Sequence, residues 1–372
     1  SPAISVTTWW MAAAKISAVA AASPSMIVDG GTDVGVAVEV GDSAVVLVSP
    51  PVVTSVPSLL HPASSRAIVH SAMVARLMMV RRRLRHRWFP SVINLGHEAG
   101  PLARVSPTMS PEMQRQPAIY LPHGGGPWPF MDDPDGRYDG LAKYLRDLPG
   151  SLPQTPSAVL VITAHWEAPS FTVGSGARPE LIYDYGGFPP HTYELTYAAP
   201  GAPAVAARIA ELAAQSGIDV VLDPDYGWDH GVFVPIAVSW PDADVPVVAV
   251  SLKQGLAPAV HLAVGAALEP LRDENVVIIG SGMSIHDLSF RISAAQATEF
   301  DQWLQQTMVA PAVARAEGLA RWADAPSGRI AHPREEHLLP LMVVVGAGGI
   351  DPVERTYDDT LFGLDTAAYT FA

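Results

Sequence analysis

The sequence contains no cysteine. That excludes a disulfide framework, a thiolate metal site and a cysteine nucleophile, and it leaves the redox compartment open. No stretch approaches the roughly 18 uninterrupted apolar residues of a membrane span, so no membrane partner is expected. Positive charge is scarce: 23 Lys and Arg stand against 37 Asp and Glu, a formal net charge of −14. This balance argues against a nucleic-acid partner and favours a soluble, cytoplasmic protein. No internal repeat is visible.

Hydrophobic residues make up 49% of the 372, enough for one large α/β domain or two average ones. The 35 prolines exceed the usual ~5% share and predict rigid loops and abrupt element ends. Charge divides the chain unevenly. Residues 1–112 carry nine Lys/Arg and six Asp/Glu, whereas residues 113–372 carry fourteen and thirty-one. The first part is dominated by Ala, Val and Ser, with a basic cluster at 80–88 that has no evident partner. It reads as an Arg-rich targeting segment, as a small β-rich domain using residues 27–48, or as an over-extended reading frame with its natural start at Met109 or Met113. The last reading is preferred, which leaves residues 1–112 unassigned, as disordered or over-extended chain. Residues 113–372 are then the functional domain.

From Pro117 onward, apolar strands alternate with helical periodicity. Strands are expected at 117–121, 158–164, 245–252 and 276–279, and helices at 202–216, 258–271, 294–317 and 338–345. The apolar run 232–240 follows a turn-rich stretch, and an acidic tail ends the chain. This pattern predicts a single α/β domain with a central mixed or largely parallel sheet flanked by helices. The Gly-, Pro- and Tyr-rich segment 183–201 reads as a long ordered loop over a site.

Three of the strands run into histidines: His123, within Pro122-His123-Gly124-Gly125-Gly126-Pro127, then His165, and His286 after Gly280-Ser281-Gly282. In open α/β sheets, ligands bind beyond the carboxyl ends of strands, so one edge can gather all three. Three imidazoles with open positions suit iron(II), zinc or copper. A single histidine there is more ordinarily a strand cap, and the repetition is what favours a metal. The glycines after His123 are read as clearing space around that metal. His230, between Asp229 and Gly231 ahead of a helix, fits a general acid/base, a helix cap or a fourth ligand.

Four segments in this order, His123-Gly124-Gly125-Gly126-Pro127, Thr163-Ala164-His165-Trp166-Glu167, Asp229-His230-Gly231 and residues 281–288, resemble the class III extradiol ring-cleavage dioxygenases, in the branch similar to 4,5-DOPA dioxygenase. Residues 183–189 with 197–201, and residues 332–337, also look like that branch. The resemblance covers about residues 113–372. It implies that His123, His165 and His286 bind one divalent metal per subunit and that His230 is the acid/base. The metal implied is Fe(2+), with Zn(2+) in some relatives. A small aromatic diol and O2 are the implied partners, and a small homodimer is the expected assembly.

Further expectations concern Tyr183, Tyr185, Phe188 and Trp128 as an aromatic substrate wall, and His337 with Glu336 as ligand-orienting or substrate-facing groups. Glu336 also reads as a helix-initiating acid. His191 is expected to face solvent and His261 to lie on a helix surface. Two other functions share these residues: a zinc hydrolase, since three histidines and a water also generate hydroxide, and a non-enzymatic metal-binding or signalling protein of the same fold.

Overall fold

The computed structural model describes residues 114–289 and 291–372, together with the backbone of two short strands nearer the start. Those two, β1 (Val36–Glu39) and β2 (Val45–Val48), pair antiparallel. They lie in a separate compact unit, residues 21–110, and fall inside the stretch read as β-rich. The targeting and reading-frame alternatives for 1–112 otherwise lie outside the described residues.

The remaining strands form one eight-stranded sheet. They are β3 (Ala118–Pro122), β4 (Ala158–Ala168), β5 (Phe171–Gly174), β6 (Val220–Asp223), β7 (Val247–Lys253), β8 (Val276–Gly282), β9 (Val353–Leu361) and β10 (Leu364–Phe371). Their order across the sheet is β6-β5-β7-β4-β8-β3-β10-β9. The central four, β7, β4, β8 and β3, are mutually parallel. Antiparallel partners flank this block, β5 beside β7 and β10 beside β3. The fold is therefore the expected α/β domain with a mixed, mostly parallel sheet.

Alternate residues of the central strands feed two cores. Leu160 and Ile162, with Tyr120 and Ile278, face one side, and Val159 and Val161, with Leu121 and Ile279, face the other. Burial on both faces is why these strands read as continuous apolar runs rather than alternating ones. Helices α1 (Asp139–Ser151) and α3 (His230–Ser239) cover one face. The other is covered by α2 (Pro203–Gln215), α4 (Pro258–Leu268), α5 (Ala294–Val309), α6 (Ala312–Ala320) and α8 (Leu339–Gly348), with the single turn α7 (Gly328–Ala331) nearby.

Three expectations are corrected. The helix expected over 294–317 is two helices, because Pro311 has no amide hydrogen to continue the first. The acidic tail is a β-hairpin, β9–β10, that turns at Phe362-Gly363 with positive φ at both residues and extends the sheet. His261 is not on a helix surface. It is fully buried in α4, with Nδ1 donating to the Ala257 carbonyl and Nε2 accepting from the Lys253 amide. Among the described residues no helix is long and apolar enough to cross a membrane.

Candidate metal centre

The sheet register determines which histidines meet. On either side of β8, Leu121 of β3 and Thr163 of β4 both pair with Ser281. His123 and His165 each lie two residues further along the chain from those partners. Across the width of β8 their Nε2 atoms come to 3.1 Å. His165 is not past its strand, as expected, but inside β4, where pairing with β7 shifts register between Ile162 and Glu167. His286 lies four residues beyond β8, held by its amide hydrogen bond to the Ala331 carbonyl.

His230 is the first residue of α3. Asp229 caps that helix, its Oδ1 accepting from Val232 N at 3.2 Å and from Thr163 Oγ1 at 2.7 Å. Burial, with the nearby Asp184 carboxylate, raises Asp229 to about 6, against the pull of the Thr163 hydrogen bond. The cap thus ties the helix carrying His230 to the strand carrying His165, and their ring centroids lie 4.0 Å apart.

Donor atoms of His123, His165 and His230 lie within 4.8 Å of one another. His286 joins a second such group, with Glu336 and His337. The rings of His286 and His337 stack at 3.4 Å, and the His337 ring lies 5.2 Å from that of His123 and 4.9 Å from that of His165. The structure therefore gathers all four expected histidines and adds His337 as a fifth, with His230 rather than His286 nearest the His123–His165 pair. Glu336 does not initiate α8, which begins at Leu339. Its Oε1 lies 3.0 Å from His337 Nδ1 and 3.5 Å from His286 Nδ1.

The donor set fits a divalent metal. Ser281 uses its only hydroxyl hydrogen on the Gly231 carbonyl, so toward His123 Nδ1, at 3.0 Å, it can only accept. Nδ1 of His123 then carries the ring hydrogen, and the lone pair sits on Nε2, the atom facing His165. Burial, reinforced by the neighbouring His165, His337, His230 and His286, holds His123 well below the usual histidine range. His165 is lowered by the same causes, burial first and then His230. Neutral imidazoles with inward lone pairs and outward hydrogen-bond partners are the form in which histidine binds metals.

The glycines do not clear space around the metal, as expected, but around aromatic side chains. A Cβ on Gly124 would lie 2.5 Å from Trp128 Nε1, and one on Gly126 would lie 2.7 Å from Phe188 Cζ. Trp128 anchors the turn by donating to the His123 carbonyl at 2.8 Å and stacking on Tyr138. Tyr183 and Tyr185 spend their hydroxyls on the Leu195 and Thr192 carbonyls. The Tyr185 ring nevertheless lies 5.9 Å from that of His230, and burial pushes its phenol up to about 12. His337, pushed down to about 4 by burial against the opposing pull of Glu336, is neutral at pH 7. His191 is exposed, as expected, and contacts the Phe130 carbonyl.

Sequence reasoning gave no role to Ser281 or Asp184. Ser281 stood inside a recognised segment. Asp184, between Tyr183 and Tyr185, is a lone carboxylate in an aromatic loop, and that contrast was the available signal. Asp184 places both carboxylate oxygens 2.9 Å from His230 Nδ1.

Residues 117–367 match the family described as the catalytic LigB subunit of aromatic ring-opening dioxygenase, and the chain belongs to that family. Its relatives include "Dioxygenase tasH" of Hapsidospora irregularis, 38% identical over 285 residues, covering 70% of this chain and 86% of that protein. The "4,5-DOPA dioxygenase extradiol" of Portulaca grandiflora is 38% identical over 272 residues, covering 70% and 97%. A crystal structure of an uncharacterised protein from Escherichia coli K12 superposes with a TM-score of 0.56 at 29% identity, covering 69% of this chain and all of the other. The family and these relatives mark the chain as a dioxygenase-type enzyme.

Proposed function

We propose that the protein is an extradiol dioxygenase that opens a catechol-type aromatic ring, with His123, His165 and His286 holding one divalent metal and His230 acting as acid/base. The observation that carries this reading is the His123–His165 pair, a buried and a half-buried neutral imidazole at one sheet edge with His230 beside them. A divalent metal held by these residues would supply a Lewis acid that lowers the pKa of a catechol hydroxyl and brings the two reactants together.

The chain's own residues do the rest. His230 takes the second catechol proton and returns it as the ring opens. Tyr185 presents its ring rather than its committed hydroxyl, so it serves as an apolar wall beside the aromatic substrate. With its phenol raised to about 12, Tyr185 does not compete with His230 as a base near neutrality. The preference for His286 over His230 as third ligand rests on the matched motif segments. Iron is preferred to zinc because ring opening consumes O2.

The test is anaerobic iron(II) loading of the full chain, followed by O2-uptake and absorbance measurements on a catechol panel. O2 consumption with formation of a yellow ring-opened product is expected, and the zinc-loaded protein should be inactive. Metal binding without turnover on any catechol would sink the reading. His286→Ala should lose the metal, whereas His230→Ala should keep it and lose turnover. The reverse pattern would exchange the two roles.

A further inference from the structure

Asp184 sits in the loop between β5 and α2, and its side chain reaches inward with only 20% of its surface exposed. Besides both contacts to His230 Nδ1, its Oδ1 accepts from the His230 backbone amide at 2.9 Å, and its Oδ2 lies 3.4 Å from His165 Nδ1. We propose that Asp184 is a positioning residue that fixes His230 as the Nδ1–H tautomer, leaves the Nε2 lone pair free, and ties His230 to His165. This proposal rests on the reading of His230 as the acid/base.

A carboxylate offers only acceptors, so the nitrogen facing both of its oxygens must carry the hydrogen. A neutral imidazole has one such hydrogen, and Nε2 is then the basic atom. Because Asp184 also holds the backbone amide, ring and main chain are gripped together. His230 is the first residue of α3, where an anion is further favoured by the helix N-terminus. The loop is braced on both sides of Asp184 by the Tyr183 and Tyr185 hydroxyls, so the carboxylate is held in place and not left to find its partner. The segment that supplies the aromatic wall thus also sets which nitrogen of His230 can take a proton.

The isosteric Asp184→Asn separates tautomer control from bulk. Its amide oxygen stays on the His230 amide, which turns the NH2 toward Nδ1 and, with the charge gone, shifts the ring toward the Nε2–H tautomer, as an Asp-to-Asn change behind a catalytic histidine does. The measurement is the tautomer of His230 in the metal-free full chain, by ring-15N histidine NMR, with the resonance assigned by its loss in His230→Gln. Nδ1–H is expected in the native chain and Nε2–H in Asp184→Asn. In the iron-loaded enzyme, kcat per bound metal should fall about 10–100-fold, with KM moving less than about threefold. A folded Asp184→Asn that keeps the Nδ1–H form overturns the proposal, whatever its activity. Should that variant not fold, Asp184→Ala carries the test, since a pure Nδ1–H tautomer there would overturn it equally. The NMR arm needs no substrate, so a native enzyme inactive on every catechol would count against the function alone.

Discussion

A Cβ on Gly231 would lie 2.9 Å from His165 Cδ2 and 2.7 Å from Thr163 Oγ1. The start of α3 and the end of β4 are that close because residue 231 has no side chain. Gly231→Ala therefore displaces either the His165 ring or the helix that carries His230. The expected result is a folded protein, destabilised by about 1–3 kcal/mol as overpacked sites are, whose metal affinity falls about tenfold or more. Metal titration beside a urea melt checks both parts.

Glu336 serves His286 and His337 together. Burial alone would raise its carboxyl, but hydrogen bonds from both histidines hold it below the usual carboxylate range. Glu336→Gln keeps the shape and removes the charge. Metal affinity is expected to fall about 10–100-fold, the usual cost of losing a partner behind a ligand, with little change in melting temperature. Unchanged metal binding would show that Glu336 does not act through a ligand.

Acid should destabilise the metal-free protein in part through His261. Burial pushes it down to about 4, the Ala257 hydrogen bond opposing and Lys253 assisting, against about 6.5 in the unfolded chain. Between those values the unfolded state binds more protons, so stability is full above about 6.5 and falls as pH drops toward 4. His332, depressed to about 3, adds a loss of the same sign. Urea midpoints for the native chain and His261→Gln at pH 7 and pH 4.5 isolate the first contribution. The variant should lose about 2–3 kcal/mol less between the two; equal slopes would refute the assignment.

The fully buried Arg272 joins segments that are distant in sequence. It donates to the carbonyls of Gln116, Ala347 and Phe371 and to Asp351 Oδ2. Arg272→Met leaves three carbonyls and a carboxylate short of a donor. A loss of about 3–5 kcal/mol is expected by denaturation, with the metal-site histidines still assembled in whatever fraction remains folded.

Much of the site was legible because a parallel strand buried on both faces is an unbroken apolar run, and a histidine at its end stands out. His123 and His165 were found that way, and the shared sheet edge followed from the rule that ligands bind beyond the carboxyl ends of strands in open α/β sheets. Their mutual distance was not legible, since it depends on β8 lying between β3 and β4 in register at Ser281. The place of His337 beside His286 was not legible either, because it comes from how Met283 and Tyr120 both hydrogen-bond to its carbonyl. The β9–β10 hairpin escaped notice because its exposed positions carry charge and mask the alternation. Burial of His261 depends on what packs over α4, which periodicity within one helix does not reveal.

Phe188 packs over Gly126, and Asp184 grips His230, yet both belong to one loop outside the sheet. The histidine cluster and the aromatic loop are therefore carried on separable stretches of chain that meet at two defined seams. Residues 189–201, whose Thr192 and Leu195 carbonyls hold the Tyr185 and Tyr183 hydroxyls, can shift the aromatic ring beside His230 while the histidine frame stays as it is. A chimera that exchanges that stretch and keeps Asp184 and Phe188 should bind metal as the parent does and differ in where the Tyr185 ring stands beside His230.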